Sequence, residues 1–187
     1  MRSWLRWPGR GPAPPSAPPA PPLPDPGHRI YAVGDVHGRH DLLEMLLWTL
    51  KQDAAAQEDE RLPILVFLGD LIDRGDHSRK VLDQVMDAWL SWPRTVCLRG
   101  NHEDALLGFL DAPETGRSWL GFGGKQTLGS YGVPAPSSQA SASELFGTAL
   151  ALSGALGHHG DFLRRSELLF RSGDVVFSHA GLDRSVP

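Results

Sequence analysis

Four short runs in this 187-residue chain set acids and imidazoles between glycines. They are Gly34-Asp35-Val36-His37-Gly38, Gly69-Asp70-Leu71-Ile72-Asp73-Arg74-Gly75, Arg99-Gly100-Asn101-His102-Glu103 and His179-Ala180-Gly181. Gathered in one place, such carboxylates would repel one another or take up protons. Divalent cations remove that conflict, and Asp, His and an amide oxygen are ligands for hard-to-borderline metals such as Mn, Fe or Zn. Asp35 and His37, two residues apart, reach one ion. Asp70 is placed to bridge, and Asn101 and His179 suit a second ion. Two ions about 3.5–4 Å apart clamp the attacking and leaving oxygens of a displacement at phosphorus. Taken singly, Asp35, Asp70 and Asn101 could instead cap the helices that follow them. His179 could be a hydrogen-bonded core histidine, and Asp73-Arg74 a surface ion pair.

The elements around these runs alternate. RIYAVGD (Arg29–Asp35) reads as a strand, and Leu42, Leu43, Leu46, Leu47 and Leu50 follow at helical spacing. PILVFLGD (Pro63–Asp70) is a nearly continuous apolar run, as for a strand buried on both faces. Val81, Leu82, Val85, Met86, Trp89 and Leu90 form the next helical stripe, stopped by Pro93; TVCLRGN (Thr95–Asn101) is the third strand, with a shorter helix around Glu103–Leu110. Strand–helix repetition predicts an α/β fold with right-handed crossovers and a parallel core sheet. In open α/β sheets ligands collect beyond the carboxyl ends of the strands, where all four runs fall. The Gly, Ser and Pro-rich stretch 111–160 predicts only loose helices near Arg117–Ser130 and Ser143–Leu152. ELLFRS (Glu167–Ser172) and DVVFSH (Asp174–His179) predict a hairpin around Gly173.

Composition sets the limits. With 18 Lys plus Arg against 22 Asp plus Glu, the net charge is −4, which argues against a protein built to neutralise nucleic-acid phosphate. The single cysteine excludes a disulfide framework and a four-cysteine zinc module. Within the apolar third strand, Cys97 reads as packing. No run approaches the roughly 18 apolar residues of a membrane span, and MRSWLRW lacks the apolar centre of a secretory signal, so the expected setting is cytoplasmic. Ten of the 16 prolines fall between Pro8 and Pro26. Residues 1–27 therefore read as a disordered tail, a solvated linker or a docking segment, ahead of one domain over 28–187.

GDVHG, GDLIDRG and GNHE, in that order and about thirty residues apart, resemble the signature blocks of the phosphoprotein phosphatases among the calcineurin-like metallophosphoesterases. The late FSHAGL resembles the block that carries the family's next metal-ligating histidine. The likeness covers 28–187 and is greatest to the bacterial serine/threonine phosphatases. It implies a β-sandwich of two mixed sheets flanked by helices. It implies that Asp35, His37 and Asp70 bind one divalent metal, and that Asp70, Asn101 and His179 bind the other, Mn foremost and Fe or Zn as alternatives. By the same resemblance His102 is the general acid, Asp73 orients it, Arg74 and Arg99 grip the phosphoryl oxygens, and a metal-activated hydroxide attacks. The expected substrate is a phosphoprotein or another phosphoester.

The family places a further metal-binding histidine and an arginine downstream of the HAG block. Neither has a match before Pro187, so the expectation is a C-terminally truncated member, its closing strands missing. His158 and His159 precede FLRRS in an apparent helix and read as surface histidines. Glu103 fits the first turn of its helix, where a negative charge favours the helix dipole. His40-Asp41 reads as a helix start. Trp119, Phe122 and Tyr131 are open to either a substrate groove or core packing. Alternative functions are symmetrical hydrolysis of dinucleoside tetraphosphates, whose enzymes typically carry Gln where this chain has His37, and a non-catalytic module.

Overall fold

A computed structural model describes residues 20–181. Three parallel strands, β1 (His28–Val33), β2 (Leu62–Phe67) and β3 (Arg94–Cys97), form a sheet in that order. The crossovers are α1 (His40–Ala55) and α2 (Ser78–Ser91), and α3 (Asn101–Asp111) leaves the end of β3. Strand, helix and hairpin positions agree with the periodicities in the sequence.

The apolar run of β2 explains the layering. Ile64, Leu65, Val66 and Phe67 are all fully buried. Alternation sends Leu65 and Phe67 into the helical core and Ile64 and Val66 into a smaller cluster on the opposite face. Each buried side chain of this size contributes about 1.5–3 kcal/mol. The opposite face is closed by the antiparallel hairpin β4 (Leu169–Ser172) and β5 (Val175–Ser178), whose Phe170 joins that cluster with Phe177 stacked on it at 5.9 Å. The hairpin is tied to the end of β3, because Arg99 N–H donates to the Glu167 carbonyl and Glu167 N–H to the Cys97 carbonyl. The chain is therefore helices on one side of a parallel sheet and a second small sheet on the other.

Between α3 and the hairpin run α4 (Arg117–Trp119), a wide π-type turn (Leu120–Gly124), α5 (Lys125–Ser130), α6 (Ala142–Leu156) and α7 (His158–Arg165). Trp119 and Tyr131 are buried in the main core, whereas Phe122 is exposed. His159, expected at the surface, is also buried. Cys97 is buried packing as expected, and desolvation pushes its thiol pKa far up. Most of the proline-rich tail lies outside the described residues. Its last part rests on the hairpin, with Asp25 N–H donating to Ser172 Oγ at 3.1 Å and Asp174 N–H to the Leu23 carbonyl. No helix among the described residues is long and apolar enough to cross a membrane.

Candidate metal centre at the strand ends

The loops after β1, β2 and β3 carry the first three runs to one rim, and the residues after β5 bring His179 to it. The backbone there is unusual. Among the described residues, the non-glycine positions with left-handed φ are His37 (46°), Asp70 (52°), Asp73 (72°) and Arg74 (65°), all members of the rim. Side chains larger than glycine rarely hold that conformation unless their surroundings impose it. Here backbone hydrogen bonds do so. Val36 and His37 N–H donate to the Asp70 carbonyl, Gly38 N–H to that of Leu71, and Gly75 N–H to that of His37.

Glu103 is the buried fastener. Its carboxylate accepts from the N–H groups of Asp70 (2.8 Å), Leu71 (2.8 Å), Ile72 (3.3 Å) and Gly100 (2.9 Å). Burial pushes its carboxyl pKa above the usual range, and these N–H groups pull it back. Sequence alone implies only a helix-end role for Glu103; the structure makes it the join between the second and third loops. Gly100 must be glycine, since a Cβ there would overlap the Asp70 carboxylate and backbone nitrogen.

Asp70 sits at the centre of the histidines, 4% exposed. Its carboxylate lies 3.7 Å from His37 Nε2, 3.5 Å from His179 Nε2 and 4.0 Å from His102 Nε2. It also accepts the His102 backbone N–H at 3.0 Å. Asp35 stands 3.8 Å from His37 Nε2.

Two imidazoles are locked in the same sense. His37 Nδ1–H donates to the Ile72 carbonyl and His179 Nδ1–H to that of Leu68, both at 2.9 Å. Each Nε2 is left with a lone pair directed into the rim. A backbone carbonyl on the far nitrogen is the usual arrangement behind a metal-bound histidine. His37 Nε2 is buried without a hydrogen-bond partner. His179 Nε2 faces two oxygen acceptors, Asn101 Oδ1 at 3.0 Å and Asp70 Oδ1 at 3.5 Å. Lone pairs crowded this way repel unless a cation lies among them, so the donor set fits divalent metal. His37 and Asp70 with His102, and Asp35 and Asp70 with His179, are the two trios whose ligand atoms come within 4.8 Å of one another at this rim.

His102 is of a different kind. It is 3% exposed, and its Nδ1–H donates to Asp73 Oδ2 at 2.7 Å, so Nε2 is the nitrogen presented to the rim. Nε2 accepts from Arg74 Nη2–H at 3.2 Å. Asp73 is fully buried and also accepts from Trp119 Nε1 (2.9 Å) and Thr127 Oγ1 (2.6 Å). Burial raises its carboxyl pKa, with Thr127, His102 and Trp119 opposing. Trp119 and Thr127 lie 46 and 54 positions along the chain from Asp73. The segment between them docks on the same loop, where Arg74 N–H donates to the Gly123 carbonyl. Gly123, at φ 117°, leaves no room for a Cβ against Arg74. A depression of about 530 Å³ opens here, lined by Arg74, Phe122, Lys125 and Gln126.

Replacing Trp119 with Phe keeps the stack on Phe109 (5.1 Å between centroids) and deletes one donor to a buried carboxylate. We expect a loss of about 1.5–3 kcal/mol, read as a lower urea midpoint. An unchanged midpoint would show the indole N–H to be idle.

Arg99 is not brought into this group. Among the described residues its guanidinium donates to the Arg164 carbonyl (2.7 Å) and Ser166 Oγ (3.3 Å), with Asp104 3.7 Å away.

Serine/threonine-protein phosphatase 2 of Escherichia coli (strain K12) is 33% identical over 95 residues, 51% of this chain and 38% of that protein. Serine/threonine-protein phosphatase 1 of Salmonella typhimurium is 34% identical over 97 residues, 51% of this chain and 38% of the relative. The symmetrical bis(5'-nucleosyl)-tetraphosphatase of Legionella pneumophila (strain Corby) is 34% identical over 155 residues, 81% of this chain and 44% of that protein. The chain thus spans less than half the length of these curated relatives. The family model for calcineurin-like phosphoesterases matches residues 28–185. With four strand ends converging on a rim of possible metal ligands and that match over residues 28–185, the chain belongs to the calcineurin-like phosphoesterase family.

Proposed function

We propose that this chain is a metal-dependent phosphoester hydrolase that removes phosphate from serine or threonine of a phosphoprotein. The observation that carries the reading is the Asp70 carboxylate, with the unpartnered Nε2 of His37 and the Nε2 of His179 both within 4 Å of it. In this assignment the domain runs over 28–187. Asp35, His37 and Asp70 hold one divalent ion, and Asp70, Asn101 and His179 the other, with Mn the expected metal. Such ions, when bound, supply the Lewis acidity that lowers the pKa of water and offsets phosphate charge.

The chain's own residues do the rest. With Arg74 turned to the phosphoryl oxygens, His102 gives a proton from Nε2 to the leaving oxygen, and the buried Asp73 holds the ring in that orientation. Arg74, exposed beside the depression, meets the phosphoryl oxygens with a planar fork. Arg99 keeps the α7–β4 connection in place rather than gripping phosphate.

Hydrolysis of dinucleoside tetraphosphates is the second reading. The Legionella relative aligns over 81% of the chain, and exposed Phe122 next to Arg74 offers a face for a base. Turnover of p-nitrophenyl phosphate, a phosphothreonine peptide and diadenosine tetraphosphate with Mn²⁺ separates the two. Peptide turnover that exceeds tetraphosphate turnover is expected; the reverse order assigns the second function, and no turnover of any of them overturns hydrolysis. His102→Ala should lower kcat by about 10²-fold or more while metal content, by elemental analysis, stays unchanged. Equal loss of metal and activity would remove His102 from the proton-donor role.

A further inference from the structure

The described residues contain one other trio of metal-competent side chains, and it shares nothing with the rim. Asp83 comes from the middle of α2, His158 and His159 from the start of α7, and their ligand atoms lie within 4.8 Å of one another. His159 is 3% exposed. Its Nδ1 is 2.7 Å from the hydroxyl oxygen of Tyr131, a core residue of the α5–α6 connection. In the tautomer whose Nδ1–H donates to that hydroxyl, Nε2 carries a lone pair, the state a metal requires.

That Nε2 is 3.1 Å from Asp83 Oδ1, yet the two are not aligned as a hydrogen bond, and Nε2 is a buried nitrogen without a partner. In that tautomer two electron-pair donors face each other at close range, which is unfavourable without a cation between them. Neighbouring ligands on a tetrahedral zinc, at 2.0–2.1 Å from the ion, stand about 3.3 Å apart.

The surroundings suit a cation. The His158 ring stands edge-on to His159 with 4.6 Å between centroids. His158 and Asp83 are exposed and line a groove of about 1020 Å³. Asp87 and Asp161 add two carboxylates to its lining, against the single guanidinium of Arg165. Trp89 of α2 meets Phe162 of α7 edge-on at 5.9 Å and closes one side. A groove water would complete four-coordination.

We propose that Asp83, His158 and His159 form a zinc-binding site, separate from the strand-end rim, that ties α2 to α7. Two imidazoles and one carboxylate are a borderline donor set, which selects zinc over magnesium or calcium.

The test is a count of sites. The full chain, stripped with a chelator, is titrated with Zn²⁺ by calorimetry and with Co²⁺ by visible absorption. Asp83→Asn and His158→Ala change exposed side chains, and both variants should keep the wild-type circular dichroism. The wild type is expected to bind one more equivalent than either variant, or to bind that equivalent at least tenfold more tightly, with a Co²⁺ absorption component that both variants lose. Isotherms and spectra that are identical in the three proteins would overturn the proposal. All three carry an intact rim, so the difference is read whether or not the rim binds metal.

Discussion

Asp70→Asn is expected to empty both metal positions at the rim and to abolish hydrolysis. The exchange preserves volume and can still accept the His102 backbone N–H, now made to Asp70 Oδ1 at 3.0 Å, so the fold should survive. What it removes is the one negative charge within 4 Å of three histidine Nε2 atoms. Loss of an outer partner alone weakens metal binding by roughly 10–100-fold, so loss of a shared anionic ligand should exceed about 100-fold at each position. Elemental analysis after gel filtration with Mn²⁺ reads it directly. Two ions retained by a folded Asp70→Asn chain would show that Asp70 bridges nothing.

The second large effect is on stability and falls on a residue with no place in the chemistry. Glu103→Ala leaves the N–H groups of Asp70, Leu71, Ile72 and Gly100 without their acceptor. A buried donor stranded in this way costs about 1–3 kcal/mol, and relaxation of the loops returns part of the sum. We expect a net loss of about 3–5 kcal/mol, and with it a Tm lower by roughly 10 °C in a chain of this size. Glu103→Gln retains one oxygen but turns an NH₂ group toward N–H donors, so it should fall between the two. If Glu103→Gln melts with the wild type, the carboxylate is not the join between the loops.

The sequence carries the rim plainly and its supports poorly, for a physical reason. Strand-end loops place Asp35, Asp70 and Asn101 by backbone topology, which hydrophobic spacing reveals. The unbroken run at Ile64–Phe67 marks the central strand because both its faces are covered. The supports have no such local signal. Trp119 and Thr127 reach Asp73 across 46 and 54 residues, through a π-type turn inside a Gly-rich stretch whose period gives only loose helices. Glu103 conforms to an ordinary helix start, and the feature that separates it from one is what its carboxylate meets on another loop. Arg99 is the converse case. Its position after β3 suits phosphate, but the α7–β4 connection, invisible to spacing, passes close enough to engage its guanidinium. His159 likewise looks exposed in a polar helix start until Tyr131 is packed against it.

The left-handed turns at His37, Asp70, Asp73 and Arg74 have a consequence for how this domain ages under heat. Each such turn costs about 1–3 kcal/mol, in a molecule whose net stability is only about 5–15 kcal/mol. The rim is therefore a loaded spring, and the hydrogen bonds of Glu103 and Trp119 are its catch. On warming, the rim is expected to loosen before the layers part, read as loss of Mn²⁺ binding at a temperature where the far-ultraviolet circular dichroism is still that of the folded chain.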